Sequence, residues 1–218
     1  ARNMIIRKHL DELNYRVIDF RPFVSTIGFM EAILRNIEKP DLVWVPCFRH
    51  RDIPSAKKWS ERLNIKLLFD PLISSWDKEV HEKNKVYSQE SSNKLKDKES
   101  ALLKKADIVL SDTSLHADLF RKKLGLSKSN NPIVYVGAEE SLFKPAQKNI
   151  SLNKKFDILF YGSFISLHGT EIIVRAAKLM SDQLDIKWTL LGNGPDLKKC
   201  KILANALPNV FFEDNISY

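Results

Sequence analysis

Residues 156–195 read FDILFYGSFISLHGTEIIVRAAKLMSDQLDIKWTLLGNGP, and this stretch decides the fold. Ile158 to Tyr161 form an apolar, partly β-branched run that stops at Gly162. A long amphipathic segment follows, with Ile173, Ala176, Ala177 and Met180 on one face at helical spacing. Lys187 to Leu191 repeats the strand signal and stops at Gly192-Asn193-Gly194, and Pro195 sits where a first helical residue tolerates a missing N–H. Strand, helix and strand make a right-handed βαβ unit. Both glycine-bearing loops then fall at the carboxyl edge of one parallel sheet, the edge at which open α/β sheets bind ligands.

The same alternation extends outward. Downstream, Asp196 to Leu207 is a predicted helix and Val210 to Phe212 a third strand. Upstream, Arg2 to Leu13 reads as a helix, Tyr15 to Phe20 as a strand and Phe23 to Glu38 as a helix. Leu42 to Phe48 is a continuous apolar run of the kind a strand buried on both faces requires. Pro54 opens a helix with Ala56, Trp59 and Leu63 inward, Ile65 to Phe69 is the next strand, and Asp70-Pro71 stops it. Leu72 to Glu90 has no period. Lys94 to Lys105 is a basic helix, Ala106 to Leu110 a strand, Thr113 or Ser114 the N-cap of the next helix, and Pro132 to Val136 a last strand. The pattern is α/β, in two blocks. A domain that opens on a helix and a sheet that ends on an unpaired edge lead to the expectation that a first strand precedes Ala1 and that the second domain continues past Tyr218.

Composition narrows the function class. The 218 residues carry a net charge of +8, 28% charged and 44% hydrophobic residues, as an ordinary globular protein does. No apolar run approaches the ~18 residues of a membrane span, and no signal peptide is visible. The expected location is cytoplasmic or peripheral at the inner face of the membrane. Cys47 and Cys200 lack ligand spacing and read as small core residues in a reducing compartment, so no metal or resident cofactor is expected. The positive charge points to an anionic partner: a nucleotide, nucleic acid or an acidic bilayer. No zinc-finger, basic-zipper or RNA-binding motif accompanies it, so nucleic acid is not expected.

FYGSFISLHGTEIIVRAAKLM (160–180) and LLGNGPDLKKCKILANALPNVFFEDNI (190–216) resemble the nucleotide-sugar-binding half of glycosyltransferase family 4, whose members share the GT-B architecture. ADIVLSDTSLHADLFRKKLGL (106–126) and VYVGAEESLFKP (134–145) resemble that family's last acceptor-domain elements and its crossover, and FDPLISSWDKEV (69–80) fits a subset of its members. The resemblance implies a GT-B-like fold of two Rossmann-like domains facing a cleft, the second incomplete in this chain. Residues 1–146 form the acceptor-side domain without its first strand, 147–154 a linker, and 155–218 the start of the donor-side domain. It also implies a glycosyltransferase that moves a sugar from a nucleotide-diphosphate donor to the hydroxyl of a sugar or lipid-linked acceptor, in polysaccharide or glycolipid synthesis. A non-catalytic nucleotide-sugar-binding relative and an epimerase of the same architecture are the alternatives.

The implied donor site comprises Gly162, Ser163, His168, Gly169, Thr170, Gly192, Asn193, Gly194, Asn215 and Ile216. The family pattern has an arginine and a lysine where this chain has Ser163 and His168, a loss of charge-assisted hydrogen bonds worth roughly 1.5–3 kcal/mol each. The Ser163 hydroxyl, a charged His168 and the N–H groups of Gly169 and Thr170 at a helix start offer partial replacement. For Asn193 the plain turn-former reading stands ahead.

On the acceptor side the candidates are Arg2, Asn3, Trp76 and Asp77, with His50 and Asp70 as catalytic candidates. His50 and Asp70 each follow a predicted strand, and adjacent parallel strands bring such ends to one edge. Asp70 is then a general base for an acceptor hydroxyl, with His50 orienting the acceptor. The competing reading has Asp70 capping a turn before Pro71, His50 solvated among arginines, and Trp76 packed on its own domain. The lysines at 94, 96, 98, 104 and 105 read first as a solvated helix face and second as a contact with anionic lipid.

Overall fold

The computed structural model describes residues 2–82, 86–145, 156–183 and 185–214. The chain divides into two compact units, Ala1–Pro145 and Ala146–Tyr218. The expected linker 147–154 lies outside the described residues.

In the first unit the order is α1 (Arg2–Glu12), α2 (Gly28–Leu34), β1 (Leu42–Val45), α3 (Ile53–Leu63), β2 (Lys66–Phe69), a single turn α4 (Ser75–Asp77), α5 (Gln89–Leu103), β3 (Ile108–Val109) and α6 (Ser114–Leu124). The strands form a parallel sheet in the order β1-β2-β3, with Val45 opposite Phe69 and Phe69 opposite Val109. Val43, Val45, Leu67, Phe69 and Val109 pack with Ile53, Trp59, Leu103 and Phe120 in one core. Pro54 lies in the first turn of α3, and Asn64 closes that helix in the left-handed region, φ 53°, which asparagine tolerates better than most residues. Thr113 caps α6 by accepting from the His116 N–H.

Several expected elements shrink, each for a backbone reason. Tyr15 to Phe20 is not a strand: it has no ladder partner among the described residues, and Phe20 packs against Trp59 instead. The helix expected over 23–38 covers only Gly28–Leu34, after a 3₁₀ turn at Ser25–Ile27, and Asn36 at φ 49° follows its end. The 42–48 run stops at Val45, because Pro46 has no N–H for a ladder and Phe48 adopts φ 64°. Burial in β1 alternates rather than covering both faces, and the central strand β2 shows the same alternation. The strand expected over 132–136 reduces to a single bridge between Ile133 and Ser111.

The second unit runs β4 (Phe156–Tyr161), α7 (Thr170–Leu179), β5 (Ile186–Leu191), α8 (Leu197–Leu203) and β6 (Val210–Glu213), with the strands parallel in the order β4-β5-β6. Phe164, Val174, Ala177, Ile186, Trp188, Leu190 and Cys200 form its core, with Ile173, Ala176 and Met180 packed against it. The apolar stripe read from the sequence is therefore the buried face of α7. Pro195 is not the first helical residue: Asp196 is the N-cap of α8, which also ends at Leu203, short of the expected Leu207. Cys47 and Cys200 are buried and free.

Candidate active site

At the carboxyl edge of the second sheet, the loops after β4 and β5 are stitched together. Gly162 N–H donates to the Leu191 carbonyl at 3.0 Å, Phe164 N–H to Asn193 at 2.9 Å, and Asp196 N–H back to Phe164 at 3.0 Å. The ladder thus continues past the strands, and the fully buried Phe164 anchors it. A Cβ at Gly192 would stand 1.9 Å from the Gly162 carbonyl oxygen, and one at Gly194 would stand 2.5 Å from that of Phe164. Both glycines are explained by this close approach of two backbones.

What remains open on this edge is a short list of groups. Ser163 and Asn193 are exposed, and Asn193 Oδ1 accepts from the Gly194 N–H at 2.7 Å, a turn-forming bond. His168 is exposed, with Nδ1 at 2.7 Å from the Ser163 carbonyl; the acceptor fixes the proton on Nδ1 and leaves Nε2 uncommitted by that bond. Gly169, at φ 62°, is the N-cap of α7. Its N–H is spent on the Ser166 carbonyl, so the expected anion-binding amide at 169 is already paired. Thr170 is likewise turned inward: it is 1% exposed, and its hydroxyl accepts from the Cys200 thiol. The N–H groups of Ile172 and Ile173 donate to the Gly169 carbonyl, so the helix start offers the backbone amides of Thr170 and Glu171. Glu171 lies in that turn, and Lys199 and Arg175 hold its carboxyl below the usual range, so it supplies charge that the helix start favours. Asn215 and Ile216 lie outside the described residues.

On the first unit, the ends of β1, β2 and β3 are in register, with Asp70 N–H donating to Val45 and Leu110 N–H to Phe69. Asp70 and His50 do reach this edge, in different environments. Asp70 is fully buried and accepts from Arg2 Nε at 2.7 Å, while Arg2 Nη1 donates to the Val134 carbonyl. Arg2 therefore points into the unit and pins α1 to the 134 segment; it offers no surface cation to an acceptor. Cys47 lies against the same carboxylate, and burial first, then the Asp70 charge, push its thiol up to about 11. In this structure Asp70 is the buried partner of Arg2 and does not face an acceptor hydroxyl at the open edge, as the general-base reading expects. Asn3 is partly buried.

His50 is half-buried, its ring edge-on to Phe69 at 5.0 Å and its Nε2 at 3.1 Å from the Ser75 hydroxyl. Burial lowers its pKa, and the Glu99 charge opposes that shift. The ring shares a hydrogen bond with the Ser75 hydroxyl, so His50 is held in place rather than solvated among its arginine neighbours, one of which, Arg49, is tied to Asp52. Trp76 packs against the core of its own unit and donates from Nε1 to Ser92, and Asp77 faces His81 at 3.8 Å.

Sequence reasoning missed two features. Glu99 is 5% exposed and receives three hydrogen bonds from the loop that carries Trp76. A carboxylate four residues before the buried Leu103, on the inward stripe of α5, was the available signal. His116 and Asp112 also pair, Nδ1 to Oδ1 at 2.5 Å, just beyond β3. Of the basic run, Lys94 is paired with Glu90, and Lys96 lies 5.9 Å from the Trp76 ring centre. Among the described residues, no group of three or more His, Cys, Asp or Glu could hold a metal, and no helix is long and apolar enough to cross a membrane.

The architecture matches solved GT-B glycosyltransferases. HepE of Anabaena, crystallised with UDP-glucose, superposes with a TM-score of 0.60 at 14% identity, over 98% of this chain and 59% of that one. TarM of S. aureus gives 0.60 at 13% identity, over 87% and 36%. Sucrose-phosphate synthase of Thermosynechococcus elongatus gives 0.58 at 19% identity, over 88% and 50%. This chain therefore spans about three fifths of the length of HepE. No family model and no curated protein matches the sequence. The fold is that of GT-B enzymes: two Rossmann-like α/β units with parallel sheets.

Proposed function

We propose that this chain is part of a nucleotide-sugar-dependent glycosyltransferase resembling family 4, with residues 1–145 on the acceptor side and the second unit binding the donor. The observation that carries the reading is the stitched pair of glycine loops at the carboxyl edge of β4 and β5, with Ser163 and His168 left exposed beside the start of α7. That edge is where open α/β sheets bind nucleotides. HepE, of the same fold, was crystallised with UDP-glucose, so a uridine-diphosphate sugar is the first donor to try. The acceptor oxygen attacks the anomeric carbon, the bond from that carbon to the diphosphate breaks, and nucleoside diphosphate leaves while the hydroxyl proton passes to a base. Amide N–H groups, the helix dipole and the imidazole of His168 stabilise the leaving diphosphate without a metal. A sugar or lipid-linked acceptor fits this chemistry, and so does a place in polysaccharide or glycolipid synthesis at the inner face of a membrane.

One observation favours a second reading, a non-catalytic donor-binding relative. Ser163 and His168 stand where the family has cations, and one His168 nitrogen is already spent on a carbonyl. The test is calorimetry with UDP together with measurement of UDP release from UDP-glucose, with and without sugar acceptors, and analysis of the sugar product. Binding with transfer supports the enzyme. Binding without release supports the second reading, a changed sugar without acceptor supports an epimerase, and no binding removes all three.

A further inference from the structure

We infer that Glu99 is the positioning residue of the acceptor-side loop, acting through Ser75 on His50; the inference rests on the transferase reading above. Glu99 sits on α5, 5% exposed, an ionisable group that a small core does not bury without partners. Its partners are all on one loop. Oε2 accepts from the Ser74 hydroxyl at 2.7 Å and from the Trp76 N–H at 2.7 Å, and Oε1 accepts from the Ser75 N–H at 2.8 Å. Ser74 passes the hold on, since its oxygen accepts from the Asp77 N–H at 3.1 Å and so caps α4. One carboxylate thus fixes the backbone from 74 to 77.

The consequence appears on the other side of that turn. Ser75 is exposed, and its hydroxyl meets His50 Nε2 at 3.1 Å. His50 is the candidate that stays partly accessible at this edge, Asp70 being sealed against Arg2. A buried anion that spends its hydrogen bonds on three consecutive residues of a surface loop gains the unit little that an apolar side chain would not. It does fix where Ser75 and His50 stand, and misplacement of such groups by about 1 Å can cost roughly 100-fold in rate.

The test compares wild type, Glu99→Gln, Ser75→Ala and the double variant. The readouts are UDP release from UDP-glucose, to water and to a sugar acceptor, UDP affinity by calorimetry, and hydrogen exchange at the Ser75 and Trp76 amides. Glu99→Gln is expected to lower the rate roughly 10–100-fold and to speed exchange at both amides, with UDP affinity within about twofold of wild type. Because Ser75 and Glu99 act in one line of contacts, the double variant is expected to be no slower than Glu99→Gln alone. Acetate added to Glu99→Ala should restore part of the rate, which loss of packing alone would not allow. Wild-type rates in Glu99→Gln, fully additive losses, or equal losses of rate and UDP affinity would each overturn the inference while leaving the transferase reading intact. A wild type that neither binds UDP nor releases it overturns the transferase reading itself; altered exchange alone would then report a structural clamp and sink the positioning role.

Discussion

Gly192 faces the carbonyl of Gly162 so closely that a side chain at 192 would begin 1.9 Å from that oxygen, well inside contact distance. At φ 136° the backbone is also in a region that other residues rarely adopt. The two loops at the candidate donor edge therefore hold each other through their main chains.

Gly192→Ala should accordingly destabilise the second unit, by roughly 2–4 kcal/mol, from steric displacement of the 162 segment plus backbone strain. Gly169→Ala meets only Ile172 Cδ1 at 3.7 Å and bears the strain of φ 62° alone, so its loss should be near 1 kcal/mol. Urea unfolding of both variants, followed by hydrogen exchange at the β5 amides, gives the comparison. Equal losses would contradict the close-approach argument.

The Arg2–Asp70 pair, with side chains 6% and 0% exposed, supports a second expectation. Arg2→Met leaves a buried carboxylate without its cation and should cost about 3–5 kcal/mol, whereas Arg2→Met with Asp70→Leu should recover much of that loss. A double-mutant cycle by chemical denaturation measures the coupling. A surface-like value below about 1 kcal/mol would show that the pair is not sealed.

His50 gives a pH dependence. Its pKa is lowered from 6.5 by burial, so the unfolded chain binds the proton more readily than the folded one. The stability this group contributes is present above the ordinary histidine value and is lost as pH falls through it toward the lower folded value. His50→Gln should flatten the difference in urea midpoint between pH 7.5 and pH 5 relative to wild type. The charge that bears on the ring is Glu99, from the facing helix; Arg51 and Asp52 share its own turn, and the neighbouring Arg49 is paired with Asp52. A variant as pH-sensitive as wild type would assign the effect to other groups.

The βαβ core of the second unit was legible in the sequence because each signal had one physical cause. Apolar strands stopped at glycines, and a helical stripe faced inward. The first unit was less legible where strand formation depends on partners. Residues 15–20 have strand composition and no ladder, and Pro46 cuts a run whose hydropathy continues through Phe48. At the candidate sites, residue types located the edges but not the pairings. Asp70 and His50 look alike as polar residues past a strand, yet one is sealed by Arg2 from 68 positions away and the other is held by Ser75. Such long-range contacts leave no periodic trace. Glu99 was visible only as a charge on the wrong face of a helix.

The most direct measurement is calorimetric titration of UDP into wild type, Ser163→Asp and His168→Glu. Each variant sets a negative charge against the diphosphate at the start of α7, and the account expects wild type to bind and both variants to lose affinity at least about tenfold, the equivalent of roughly 1.4 kcal/mol. Unchanged affinity in both variants would contradict the donor site placed there.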